Sequence, residues 1–251
     1  MEAPVTLAID CGGGGIKGTV LDADGALLAQ PVRSVTPYPL PPERLVGVIV
    51  SLAAQLPAAT RVTVGMPGMI RAGRVVATPH YVCRAGPRTR VVPELVDAWA
   101  DFDMRAAVSG ALGVPAIVLN DAEVHGYGLI EGTGLEVVIT LGTGLGNAVF
   151  HEGVLAPHME LSQAPVKWGL SYDDYLGEHE RIRLGDSHWS RRVRNVIEGF
   201  YPVLMWDRLY IGGGNARRIT PLVAGRFSGN VVLAPNSAGL TGGVRAWHAA
   251  G

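Results

Sequence analysis

The chain has 251 residues, 48% of them apolar, and a formal charge of −1; it is long enough for two domains of roughly 100 to 150 residues, too apolar to stay disordered, and without the basic excess that draws proteins to nucleic acid or anionic membranes. No apolar stretch reaches the ~18 residues that cross a bilayer, and the two cysteines, Cys11 and Cys83, are too few for a disulfide framework or a four-ligand zinc site. A cytoplasmic protein with neither nucleic acid nor membrane as partner is expected.

An apolar run ending in Asp10 leads into four consecutive glycines, residues 12–15, followed by Ile16 and Lys17. Glycine inside an element costs about 1 kcal/mol relative to alanine, so this run points to a backbone that side chains would obstruct. Residues 16–30 alternate and break at Asp24-Gly25, a turn between two strands. Gly13-x-Gly15-x-x-Gly18 matches the dinucleotide fingerprint in form only. That fingerprint opens a helix and has an acidic residue about 20 positions on, whereas here the glycines open a strand and the matching position is Arg33. The Walker pattern fails because Lys17 follows Ile16.

Residues 41–56 begin with two prolines and repeat apolar residues at helical spacing. Residues 62–68 read as a strand ending in glycines. The next stretch carries Arg71, Arg74, Arg84, Arg88 and Arg90 with no acidic residue, which is either a solvated loop or an attraction for a polyanion. Residues 94–102 and 104–113 read as helices, and residues 115–120 as a short buried strand. Residues 136–157 then repeat the opening layout: strand, glycine turn at Gly142, Gly144 and Gly146, strand, turn at Glu152-Gly153, apolar run. Ser171 and Asp174 form a capping-box pattern, and residues 186–206 put Trp189, Val193, Val196, Ile197, Phe200 and Leu204 on one helical face. Residues 208–215 are again a strand ending in glycines. The class is therefore α/β, in two related lobes: residues 1–118, completed by a last helix at about 238–251, and residues 119–237. Two such lobes facing one another make a central cleft with a glycine hairpin on each wall.

Glycine turns aim several N–H groups at one point and form a nest for phosphate, although either could be a plain tight turn. Lys17 and Thr143 stand beside them. Asp121 ends a strand ahead of a helical run, where ligands of open α/β sheets gather. Its carboxylate could take the proton of a hydroxyl that attacks phosphorus, or it could cap the helix, for which Asn120-x-x-Glu123 also has the pattern. Asp10 could orient magnesium through water or be an ordinary strand-end residue. The seven histidines show no metal-ligand spacing. Cys11 is either a reactive thiol or a small buried apolar residue.

Together, Asp10-x-Gly12-Gly13 with Lys17, Gly65-x-Pro67-Gly68, Asn120-Asp121-Ala122, Leu141-Gly142-Thr143-Gly144-x-Gly146, Glu160, Ile211-Gly212-Gly213-Gly214-Asn215 and Ala238-Gly239-x-x-Gly242 resemble, in order and over nearly the whole chain, the ROK family of sugar kinases, and most of all its polyphosphate glucokinase branch. The resemblance implies the two-lobed actin-like (ribonuclease H-like) ATPase fold. It also implies transfer of a phosphoryl group from ATP or polyphosphate to the 6-hydroxyl of a hexose, glucose first. It makes Asp121 the catalytic base, and Asn120, Glu160, Gln163 and His80 neighbours of the sugar. Gly12, Gly13, Lys17, Thr140, Gly142, Thr143 and Gly144 would line the donor phosphates, with Gly213 and Gly214 near the nucleoside end, Asp10 near Mg2+, and a homodimer as the assembly. The ROK repressors carry a DNA-binding region ahead of these motifs, which is not expected here.

Three departures bear on the substrate. The family's E-x-G-H reads Glu160-Leu161-Ser162-Gln163; its zinc-binding cysteines are missing; and His80 and Gly14-Gly15 replace a common asparagine and a usual hydroxyl residue. They support an alternative reading as a catalytically impaired sugar or nucleotide sensor of the same fold. An actin-like ATPase, the third reading, leaves Glu160 and Asn120 without a purpose.

Overall fold

The computed structural model describes residues 3–234 and 238–249, the first three residues of the second segment by their backbone alone. Residues 235–237 and 250–251, the ends of two expected segments, lie outside the described residues. The chain forms two compact units, Met1–Gly128 with Gly239–Gly251, and Leu129–Ala238.

The first unit runs through β1 (Thr6–Cys11), β2 (Ile16–Leu21), β3 (Val32–Ser34), α1 (Pro42–Ala53), β4 (Arg61–Met66), β5 (Met69–Arg71), β6 (Arg74–Ala77), α2 (Pro93–Trp99), β7 (Phe102–Asp103), α3 (Met104–Leu112), β8 (Ala116–Asn120) and α4 (Asp121–Tyr127). Its main sheet has the order β3-β2-β1-β4-β8, with β1 antiparallel to β2 and β1, β4 and β8 mutually parallel. Leu45, Ile49 and Leu52 recur at helical spacing on α1 and pack with Leu7, Ile9, Val62, Val64 and Val118 of the strands. Because β8 pairs with β4 from Val62↔Ala116 to Met66↔Asn120, a boundary at residue 118 would cut this strand.

Two elements depart from the sequence reading. After the turn at Asp24-Gly25, where the Asp22 carboxylate accepts from the Asp24 and Ala26 amides, the chain makes only an isolated bridge at Leu27. The strand proper starts at Val32, just past Pro31, which has no N–H to give a ladder. Phe102 is not helical: α2 ends at Trp99, Asp101 takes a φ of 56°, and Phe102 pairs with Val75.

The second unit comprises β9 (Leu135–Leu141), β10 (Leu145–His151), β11 (Val154–Leu155), a 3-10 turn (Leu161–Gln163), β12 (Pro165–Lys167), β13 (Leu170–Ser171), α5 (Tyr172–Leu176), α6 (Glu178–Leu204), β14 (Arg208–Gly212), a 3-10 turn (Ala216–Arg218), α7 (Pro221–Ala224) and β15 (Val231–Leu233). Its sheet order, β11-β10-β9-β14-β15, reproduces that of the first unit position for position, with the same antiparallel hairpin and the same parallel pairs. The duplication expected from the glycine hairpins is therefore one of topology. Trp189, Val193, Val196, Ile197 and Phe200 of α6 are buried together with Val137, Ile139, Leu209 and Ile211. The helix is broken at Gly185, whose φ is 74°.

The last helix, α8 (Ala238–Ala249), returns to the first unit. The Thr63 hydroxyl donates to the Gly243 carbonyl at 2.7 Å and accepts from the Trp247 indole at 2.8 Å.

Candidate active site

The glycines at residues 12–15 form the β1–β2 turn, closed by the Gly12 amide on the Gly15 carbonyl at 2.9 Å. The Thr36 hydroxyl holds the Gly12 carbonyl at 2.8 Å and the Tyr38 phenol holds the Gly13 carbonyl at 2.9 Å. The carbonyls are thus engaged, while the amides of Gly13, Gly14 and Gly15 have no acceptor among the described residues; the turn is a ready nest for an anion. Lys17 pairs with Asp10 at 3.7 Å. Burial pushes the Asp10 carboxyl above its usual range, partly offset by Lys17. A Cβ on Gly13 would stand 2.8 Å from Pro87 and 3.5 Å from His80 Nδ1, which sets His80 and the following loop against this turn. Of the five arginines in that stretch, Arg74 is bound to Asp101 and Asp103 at 2.7 and 2.9 Å. Arg84, Arg88 and Arg90 are exposed in the loop that carries Pro87.

At the carboxyl end of β8, Asn120 is buried, its side-chain oxygen accepting from the Ala122 amide and its Nδ2 donating to Gly68 at 2.8 Å. The Glu123 carboxylate accepts from the Asn120 amide at 2.9 Å and completes the capping box. Asp121 follows as the first residue of α4, half-buried, its carboxylate accepting from the Ala122 amide at 2.9 Å. The capping role therefore falls to Asn120 and Glu123. Asp10 pairs with Gly65 across β1 and β4, and a Cβ on Gly65 would stand 3.4 Å from the Asp121 Cα, so the two carboxylates lie on the same side of the sheet end, where both add to the larger effect of burial in raising the Cys11 thiol and the Tyr81 phenol. Cys11, wholly buried with its thiol pushed well up, is a small apolar residue and not a nucleophile.

In the second unit the β9–β10 turn is one residue shorter and closes with the Gly142 amide on the Gly144 carbonyl at 3.0 Å. Thr140, next to last in β9, is half-buried, and Thr143 is exposed at the tip. The Glu178 amide at the start of α6 and Asn215 Nδ2 both donate to the Gly142 carbonyl, at 3.1 Å each. Gly213 has a φ of 83° and lies so close to Leu141 that a Cβ would come 2.5 Å from its carbonyl, while Gly214 is exposed. Gly213 and Asn215 therefore brace the turn from behind.

Asp173 was not singled out by its sequence. Its carboxylate accepts from the Leu145 amide at 2.7 Å and fills the space where a side chain on Gly144 would be. Burial, with Glu160 and Asp174 adding, pushes it up to about 6 against the pull of the Leu145 N–H. Glu160 accepts from the Ser162 hydroxyl at 2.6 Å and has His158 Nε2 3.5 Å from its other oxygen. Gln163, exposed, donates to the Ser162 hydroxyl at 3.0 Å. Its link to Glu160 thus runs through Ser162. No three of the described His, Cys, Asp and Glu residues are grouped to hold a metal ion.

The model of the ROK family matches residues 6–157. The polyphosphate glucokinase of Mycobacterium leprae (strain TN) is 28% identical over 95% of this chain and 73% of its own length. That of Mycobacterium tuberculosis (strain ATCC 25618 / H37Rv) is 27% identical over 95% of this chain and 89% of its own. Among solved structures, the inorganic polyphosphate/ATP-glucomannokinase from Arthrobacter sp. strain KM matches with a TM-score of 0.81 and 28% identity over 99% of both chains. A ROK family glucokinase from Streptomyces griseus, in complex with glucose and AMPPNP, matches at 0.73 over 95% of this chain and 97% of its own; at 18% identity it speaks to the fold alone. With a family match spanning more than half its length and two sheets of one topology, this chain belongs to the ROK family and has its actin-like ATPase fold.

Proposed function

We propose that this chain is a hexose kinase that transfers a phosphoryl group from ATP or polyphosphate to the 6-hydroxyl of a hexose, with glucose the first candidate. The observation that carries the reading is Asp121. It is a half-buried carboxylate at the carboxyl end of a parallel strand, left out of the capping box beside it and on the same side of the sheet end as Asp10 at the glycine turn. In the reaction it accepts the hydroxyl proton as that oxygen bonds to phosphorus and the bond to the departing phosphate breaks. Such a base is worth typically 10²- to 10⁴-fold. The rest is positioning and charge stabilisation.

Gly12 and Gly13 with Lys17, and Thr140, Gly142, Thr143 and Gly144 of the other turn, are the proposed donor contacts. Gly213 and Gly214 flank the nucleoside end when the donor is ATP. The exposed Arg84, Arg88 and Arg90 beside the first turn favour a polyanionic donor. Asp10, a single carboxylate, fits magnesium as that ion is usually held, through one or two carboxylates, donor phosphates and retained waters. When bound, the ion neutralises charge on the phosphates. Glu160, Asn120, His80 and Gln163 are the proposed acceptor contacts. Asn120 brings one free N–H and a spare lone pair after its capping bonds, and Glu160 is an acceptor steadied by Ser162. A cytoplasmic homodimer completes the proposal, open to sedimentation analysis.

A coupled assay with a panel of hexoses and both donors tests it. Asp121→Asn is expected to keep its melting temperature and lose at least ~10²-fold in turnover. A near-normal rate in that variant would return Asp121 to a capping role. Saturable sugar binding with no turnover above that variant would favour the sensor.

A further inference from the structure

We propose that Arg33 is a phosphate ligand of the first glycine turn, and that position 15 is glycine so that the Arg33 guanidinium can lie across it. The proposal rests on the kinase reading of this turn and adds a donor-selecting residue to it.

Three observations carry it. First, a Cβ on Gly15 would stand 2.7 Å from Arg33 Nε, 2.9 Å from Nη2 and 3.2 Å from Cζ, so the guanidinium itself, rather than the side-chain stem, covers the turn. Second, the ladder register pairs Asp10 with Lys17 and Lys17 with Arg33. Directly paired residues share a sheet face, so Asp10, Lys17 and Arg33 form one row across β1, β2 and β3. Lys17 has Asp10 at 3.7 Å, and to a distant anion that pair nearly cancels. The Arg33 side chain is exposed and makes no ion pair or hydrogen bond among the described residues; it is the uncompensated charge of the row. Third, the amides of Gly13, Gly14 and Gly15 beside it have no acceptor there.

A guanidinium presents parallel N–H groups that match two oxygens of one phosphate, and next to free amides it completes an anion site. Because Arg33 comes from the edge strand β3, outside the amides of the turn, it meets phosphates beyond those the amides cradle. A long inorganic polyphosphate chain gains from it more than ATP does.

The test uses the full chain and four proteins: wild type, Arg33→Ala, Arg33→Lys and Gly15→Ala. Calorimetric titration with long-chain inorganic polyphosphate and with ATP, without sugar, is paired with steady-state KM values for donor and acceptor. Losing one charge-assisted contact is expected to weaken polyphosphate binding by about tenfold or more, to weaken ATP binding less, and to flatten the salt dependence of polyphosphate binding. Arg33→Lys should recover part of the loss, Gly15→Ala should copy Arg33→Ala, and the acceptor KM and melting temperature should not move. Equal polyphosphate affinity in wild type and Arg33→Ala, with the wild type turning over, overturns the assignment of Arg33 alone. A wild type that binds neither donor and phosphorylates no hexose overturns the kinase reading, and this proposal with it.

Discussion

Asp173 is a carboxylate held against a turn proposed to receive phosphates, and its energetics have a definite sign. Its folded pKa of about 6 lies above the usual aspartate value near 4, because burial and then Glu160 and Asp174 disfavour the charge more than the Leu145 amide favours it. The folded state therefore binds the extra proton. Stability from this group is present at low pH and is lost as pH rises through the interval between the two values. Asp173→Asn keeps an oxygen for the Leu145 N–H and removes the charge. It is expected to raise the melting temperature by a few degrees near pH 8 and to do little near pH 4, and to lower the donor KM near pH 8 by relieving repulsion. Equal shifts at both pH values would mean that Asp173 is not charged differently in the folded state. A second residue-scale prediction concerns Ser162, buried with its hydroxyl on Glu160 at 2.6 Å. Ser162→Ala frees that carboxylate and should raise the acceptor KM several-fold, as expected for one charge-assisted hydrogen bond, with the donor KM unmoved. Sequence exposed what is local: the Asn120, Asp121 and Glu123 arrangement spans one helical turn and is read from spacing alone. Asp173 on Leu145 and Arg33 on Gly15 join residues far apart in the chain from segments with no periodic signal, and the chain fold alone brings them together.

Among elements, the strand and helix that present Asp121 meet at a glycine. A Cβ on Gly65 of β4 would stand 3.3 Å from Val124 Cγ2 and 3.4 Å from the Asp121 Cα, so any side chain at this point of β4 presses on α4. Gly65→Ala should push α4 outward by a few tenths of an ångström and carry Asp121 with it. Misplacement of a reacting group by ~1 Å can cost 10²-fold, so this smaller shift is expected to lower kcat by up to roughly tenfold while the melting temperature falls only modestly. An unchanged kcat would show that Asp121 has slack in its placement. Elements with a strong period were legible: α1, the buried face of α6, and the two hairpins all follow from apolar spacing and glycine. The late start of β3 and Phe102 in a strand were not, whereas the break at Gly185 falls where the apolar spacing opens its helix, at residue 186. Phe102 depends on the φ of 56° at Asp101, which tertiary pairing selects against local preference, and β3 starts late because Pro31 has no N–H for the ladder.

For the whole molecule, the first unit is assembled from two stretches separated by the entire second unit, which makes the last helix a condition of its stability. Thr63 on β4 is buried and exchanges hydrogen bonds with Gly243 and Trp247 of α8. Val244 is buried with Ala8 and Leu21, and Gly242 lies against the Val124 carbonyl so closely that no side chain fits between them. Deleting residues 238–251 would remove both hydrogen bonds of the Thr63 hydroxyl, each worth about 0.5–1.5 kcal/mol, and would expose Ala8 and Leu21 besides. Against a total stability of about 5–15 kcal/mol for a typical domain, that loss is large. Hydrogen exchange is therefore expected to speed up by at least tenfold at the amides of β1 and β4 in the truncated chain, while those of β9 and β14 keep their protection. A synthetic peptide of residues 238–251 should slow the first set again in a concentration-dependent way. Gly242→Val, which keeps the helix and forbids its approach to α4, should reproduce the pattern without any deletion. Unaltered exchange at β1 and β4 in the truncated chain would show that the first unit is stable on the contacts of its amino-terminal stretch alone.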